Sequence, residues 1–304
     1  MQLGFVSAIL GELPLEDVLA FASAEGFATV ELMCWPIGAA ERKYAGVTHV
    51  DVDTLTKAGA EDILSACTRH GVGISGLGYY PNMLDPDPAV ADAATAHFRK
   101  VVAAAPLLGL RTVTGFVGRD WTRSVDDNWP RFLQTWKPIV RLAEELGVRI
   151  GIENCPMLFT RDEWPGGKNL FTTPAIWRRA FADIGSASLG LNYDPSHFVL
   201  QDMDPLGPLA PFKDRLFHVH AKDVKIDRAA LQEVGRFDLP LRWHQPRIPG
   251  YGDIDWGRFM GELQRIGYDG AVCIEVEDDT FGRSLEGRQQ ALRVARNVLA
   301  PYFG

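Results

Sequence analysis

Residues 148–154 read V-R-I-G-I-E-N, residues 189–197 L-G-L-N-Y-D-P-S-H, residues 216–223 L-F-H-V-H-A-K-D and residues 272–278 V-C-I-E-V-E-D. Each opens as a short apolar run of strand character and closes on a group able to hold a cation: Glu153, Asp194, His220 and Glu275. Successive side chains alternate across a strand, so Gly151 shares a face with Glu153, Asn192 with Asp194, His218 with His220 and Cys273 with Glu275. If the four strands run parallel in one sheet, one oxygen or nitrogen ligand from each reaches a common rim.

Outward from these stretches the same alternation runs through the chain. Strand patterns near Leu3–Ser7, Thr29–Met33, Gly73–Gly78, Thr112–Phe116, Arg149–Glu153, Ser188–Asp194, Leu216–His220 and Ala271–Glu275 are separated by helical spacing. The helical patterns fall near Leu15–Glu25, Asp53–His70, Pro88–Leu108, Val125–Leu146, Thr173–Ile184, Pro205–Phe212, Asp255–Ile266 and Ser284–Leu299. Gly26, Gly71, Gly109, Gly147 and Gly267 stand where a left-handed residue would end a helix. Eight such units predict a single (β/α)8 TIM barrel over residues 1–304, with long βα loops over the C-terminal face. Neither G-x-G-x-x-G nor G-x-x-x-x-G-K-S/T follows the first strand, which argues against a nucleotide-binding sheet.

The long connections are Cys34–Val52, Asn154–Thr172 and Ala221–Gly252. Their aromatic and glycine content, as in Trp164-Pro165-Gly166-Gly167-Lys168, suits either a wall over a substrate or a contact with a neighbouring subunit.

A net charge of −8 and a pI near 5.4 argue against nucleic acid as a partner and favour small molecules. The first residues, M-Q-L-G-F-V, carry no basic segment before a long apolar one, and no apolar stretch approaches roughly 18 residues. The expectation is a cytoplasmic protein with no membrane partner. Cys34, Cys67, Cys155 and Cys273 are scattered with no C-x-x-C pair, as expected of reduced, buried thiols.

Three carboxylates directed into a barrel mouth would carry a large desolvation cost, which a divalent cation relieves; the alternative is that one or two of them pair with Lys222 or Arg247. One imidazole among oxygens suits Mn²⁺, Mg²⁺ or Co²⁺ better than the sulfur-rich sets of structural zinc. His197, in D-P-S-H, is a candidate for a substrate hydroxyl or the metal, against a locally bonded helix-start residue. Lys222 and Asp223 are candidates for substrate binding, against a surface pair. Arg247, in R-I-P-G-Y-G-D-I-D-W, precedes a glycine-rich turn that could lay its guanidinium over the site. His218 reads as a residue one layer below His220, and Glu31 as a structural polar contact within the barrel.

The set D-P-S-H, H-V-H-A-K-D, G-Y-G-D-I-D-W and C-I-E-V-E-D, in this order, resembles the xylose isomerase-like TIM-barrel superfamily, particularly its sugar isomerase/epimerase branch. The resemblance implies that Glu153, Asp194, His220 and Glu275 hold one divalent metal, Mn²⁺ first among the candidates, and that His197 and Arg247 contact a keto-sugar. It further implies that Glu153 and Glu275 move protons as acid and base through an enediolate, and that homo-oligomers are common among relatives. The expected reaction is isomerisation or epimerisation, with elimination of water or an aglycone as the rival. An apurinic-site endonuclease, whose relatives in the superfamily carry added histidines on strands two to four, fits poorly: the corresponding ends here read Met33-Cys34, Gly78-Tyr79-Tyr80 and Phe116-Val117-Gly118.

Overall fold

The computed structural model describes residues 1–38, 45–157 and 167–303. Its centre is a closed parallel barrel of β1 (Gln2–Val6), β2 (Thr29–Met33), β3 (Gly73–Gly78), β4 (Thr112–Gly115), β5 (Arg149–Glu153), β6 (Leu189–Tyr193), β7 (Leu216–Ala221) and β10 (Ala271–Ile274). Each barrel strand pairs with the next barrel strand along the chain, β7 with β10, and β1 closes on β10 with Leu3 opposite Val272. The barrel is the one expected from the alternation of strand and helix.

Around it pack α1 (Leu15–Ala24), α2 (Lys57–His70), α3 (Pro88–Ala104), α4 (Val125–Glu145), α5 (Pro174–Ile184), α6 (Ser196–Leu200), α8 (Trp256–Arg265) and α9 (Leu285–Leu299). Side-chain oxygens of Thr56, Ser124, Asp255 and Ser284 accept a backbone N–H in the first turns of α2, α4, α8 and α9, each cap contributing about 1 kcal/mol. Gly26, Gly71, Gly109, Gly147 and Gly267 all lie at positive φ between 65° and 75°, as the helix ends demand.

Two elements depart from the expectation. No helix forms at Pro205–Phe212; the stretch is a series of turns, because Pro205, Pro208 and Pro211 remove backbone donors and the Asp204 carboxylate accepts from the N–H groups of Leu206 and Gly207. The helix after β6 is instead α6, one turn long, immediately after Asp194. The connection after β7 also contains an antiparallel hairpin, β8 (Asp223–Ile226) and β9 (His244–Arg247), enclosing α7 (Arg228–Val234). Its strands are too short and polar to stand out from loop sequence.

The core fills the space between barrel and helices, where Phe5, Phe98, Phe132, Trp136, Trp177 and Phe259 are fully buried. Among the described residues no helix is long and apolar enough to cross a membrane.

Candidate metal centre

The C-terminal ends of β5, β6, β7 and β10 bring Glu153, Asp194, His220 and Glu275 together, three of them almost wholly buried and Glu275 with a side chain 20% exposed. The His220 ring has two distinct sides. Nε2 lies 2.7 Å from Oε2 of Glu31 on β2, whereas Nδ1 faces Glu153 Oε2 at 3.6 Å and Glu275 Oε2 at 3.5 Å with no hydrogen bond. Glu31 is held in turn by the hydroxyls of Tyr80 at 2.5 Å and Thr114 at 2.6 Å, both donating to Oε1. Gly78 makes room for this: a Cβ there would stand 2.6 Å from Glu31 Oε1. Glu31 can only accept, so it favours a proton on Nε2, and against the effect of burial its charge with that of Glu275 holds the ring well above the ordinary imidazole range; Nδ1 is the nitrogen that faces the carboxylates and the one a cation could claim by displacing its proton.

Asp194 is fixed by its own turn. Its Oδ1 accepts from the N–H of Ser196 at 2.8 Å, while its backbone N–H donates to Asn154 Oδ1 and its carbonyl accepts from Asn154 Nδ2, at 2.8 and 2.9 Å. Oδ2 is buried with no hydrogen bond. A buried carboxylate oxygen and a buried imidazole nitrogen, both unbonded and set among two glutamates, fit a divalent cation held by Glu153, Asp194, His220 and Glu275. Glu153, His220 and Glu275 each offer a ligand atom within 4.8 Å of the others.

His197, on α6, places Nε2 at 3.0 Å from Glu153 Oε1 and 3.2 Å from Asp194 Oδ2. Lys222 is buried among the same carboxylates: Nζ is 2.7 Å from Glu275, 3.2 Å from Asp194 and Glu277, and 3.8 Å from Glu153. His218 lies one layer below, between Asn192 Oδ1 at 3.0 Å and Ser75 Oγ at 3.1 Å.

Asp223 and Arg247 are placed differently from the sequence expectation. The Asp223 carboxylate is buried under four donors, the N–H groups of Val224, Gly250 and Ile254 and the Trp256 indole, so it ties the hairpin to the barrel with no lone pair left over. This explains G-Y-G-D-I-D-W: a Cβ on Gly252 would come within 2.0 Å of Asp223 Oδ1. Arg247 pairs through Nε with Asp278 Oδ2 at 3.1 Å and donates to Thr280 Oγ1 at 3.3 Å, lining a cleft with His244 and Arg283 rather than the carboxylate cluster. Of the Trp164–Lys168 stretch, Trp164, Pro165 and Gly166 lie outside the described residues.

Burial alone would raise the Glu31 carboxyl, yet His220 and His218 hold it at about 2. Burial likewise opposes ionisation of Glu275, but Lys222 and His220 bring it to about 2, whereas Glu153 is raised by burial and the Glu275 charge. Burial acts to lower Lys222, and its carboxylate neighbours Glu275, Glu277, Asp194 and Glu153 more than reverse this. A pocket at the cluster is lined by the apolar side chains of Val6, Trp35 and Phe116, by Tyr80, and by Lys222 and Glu277. Asn154 and Glu277 had no local sequence signal beyond their adjacency to Glu153 and Glu275.

Residues 19–299 match the model of the xylose isomerase-like TIM barrel family. An uncharacterised Bacillus subtilis (strain 168) protein, YfiH, is 26% identical over 92% of this chain and 94% of its own, and the inosose dehydratase of Lacticaseibacillus casei is 28% identical over 52% of each. In fold the chain is similar to D-psicose 3-epimerase from Clostridium cellulolyticum H10, with a TM-score of 0.70, 16% identity and 99% of both chains covered. It is also similar to a protein called IOLI, solved with a bound zinc atom, with a TM-score of 0.71, 17% identity and full coverage of both chains. This chain belongs to the xylose isomerase-like TIM barrel family.

Proposed function

We propose that this protein is a divalent-metal-dependent isomerase or epimerase of a keto-sugar, either a free ketose or a keto-glycoside, with Glu153 and Glu275 as its acid and base. The observation that carries the reading is their convergence: from β5 and β10 each brings an oxygen within 3.6 Å of the same unbonded nitrogen of His220. A C–H beside a carbonyl is a weak acid, so one carboxylate must take the proton while the other delivers one. When bound, a divalent cation would supply positive charge where negative charge develops on the sugar oxygen. The oxygen-rich ligand set suits Mn²⁺ first, with Mg²⁺ or Co²⁺ as substitutes.

His197 touches Glu153 and Asp194 and so orients both carboxylates. Tyr80, Phe116 and Trp35 line the pocket and offer apolar surface against which a sugar ring can lie.

The inosose dehydratase relatives favour a second reading, elimination of water or an aglycone from the same enediolate. That outcome needs a proton donor at the leaving oxygen, and Lys222 and His197 both border the glutamates.

Incubation of metal-loaded protein with ketoses, 3-keto-glycosides and keto-cyclitols in D₂O, followed by NMR, tests both readings. Deuterium in an intact sugar with an inverted or shifted centre supports isomerisation or epimerisation. Release of water or aglycone supports elimination, and no exchange with any substrate ends both.

A further inference from the structure

Lys222 follows His220 by two residues and points to the same side of the β7 end. Its side chain is 4% exposed, and its ammonium stands between three of the four candidate metal ligands. Among the described residues it is paired with four carboxylates, Glu153 from β5, Asp194 from the end of β6, and Glu275 and Glu277 from the end of β10, while the His197 imidazole stands beside it on the same Asp194 oxygen. Four acidic groups gathered in one place need compensating charge whether or not a metal is bound, and among the described residues Lys222 is the cation that touches all four.

An ammonium so placed and a divalent ion on the same oxygens would repel each other at a few ångströms in a poorly screened interior. The side chain has one evident retreat. Glu277 lies 3.2 Å from Nζ, lines the pocket, and carries a buried Oε2 with no hydrogen bond. A lysine has a flexible four-carbon stem and three donors, so a short swing releases Asp194 and Glu275 while keeping and tightening the contact to Glu277, and the ammonium is not left unpaired.

Building on the assignment of the metal ligands, we propose that Lys222 is a resident counter-ion of the carboxylate cluster, that an incoming divalent cation displaces it, and that Glu277 holds it once displaced. The exchange keeps the empty centre from repelling itself apart. It also moves the ammonium to the pocket wall when the centre is filled, where it can meet a substrate oxygen.

The test is calorimetric titration of metal-stripped wild-type, K222M, E277Q and K222M/E277Q proteins with MnCl₂, which reads the cation and not the sugar chemistry. K222M should bind Mn²⁺ tighter by about tenfold or more. E277Q should bind it more weakly than wild type, and most of that loss should vanish in the K222M background. Unchanged or weaker binding by K222M overturns the counter-ion, and an equal E277Q effect in both backgrounds overturns the role of Glu277. If metal-free K222M does not fold, amine-reactive labelling of wild type read by peptide mass spectrometry decides instead. Lys222 should be labelled faster with Mn²⁺ than without, and equal or slower labelling overturns the proposal. Tight Mn²⁺ binding without any sugar exchange would leave displacement standing and remove only the proposed reaction.

Discussion

Nε2 of His220 and Oε2 of Glu31 approach to 2.7 Å across the barrel, joining β7 to β2 through its interior. The contact selects the nitrogen left to face the carboxylates. Glu31→Gln keeps an acceptor for Nε2 but removes the charge that makes the imidazole a stronger ligand, so Mn²⁺ affinity should fall by about 10-fold or more with the fold retained. Titration calorimetry with circular dichroism as the folding control checks this, and unchanged affinity would detach Glu31 from the metal centre.

Glu275→Gln should lower solvent-deuterium exchange by about 10²- to 10⁴-fold, the usual contribution of a positioned acid or base, while the barrel stays folded. Glu153→Gln should do the same. Full retained exchange in either variant, followed by NMR in D₂O, would remove that residue from proton transfer.

Asp223 and Arg247 differ from the proposed metal ligands in what their loss should change. Asp223→Asn exchanges one acceptor oxygen for a donor beneath four N–H groups, at a cost of roughly 1–3 kcal/mol. Gly252→Ala should be destabilising for the same reason, since its Cβ would meet that carboxylate. Urea unfolding measures both. A D223N protein of wild-type stability but reduced activity would restore Asp223 as a substrate contact.

His244 gives a signature in pH. Burial lowers its imidazole to about 4, and its Nε2 accepts from the Leu241 N–H, which requires the neutral ring. Its folded pKa lies below the unfolded value near 6.5, so its contribution is complete above that value and drains away as pH falls from 6.5 toward 4. By pH 5.5 the loss is roughly 1–1.5 kcal/mol. Unfolding midpoints of wild type and His244→Gln at pH 7 and 5.5 should converge as pH falls, and a constant gap would show that His244 is not the titrating group.

The barrel, and the strand ends that bring Glu153, Asp194, His220 and Glu275 together, are legible in the sequence for a local reason. Strand periodicity, helix periodicity and glycine at helix ends are properties of a few consecutive residues, and a carboxylate or imidazole at the end of an apolar run announces itself without its partners. At Pro205–Phe212 the apolar spacing of a helix is overruled by three prolines, and the strands of the hairpin at Asp223–Arg247, four residues each, resemble loop sequence.

What the chain order could not reveal is which groups meet across the barrel. Glu31 and His220 are 189 positions apart, and only the closure of β1 on β10 and the stagger of the strands set them at one level. The same holds for Lys222, which reads with Asp223 as a substrate contact or a surface pair until folding buries both, one among carboxylates and the other under backbone donors. Residue type and local period therefore determined what the site is made of. The tertiary structure decided which charge faces which, because electrostatic pairing depends on distance through space and not on separation along the chain.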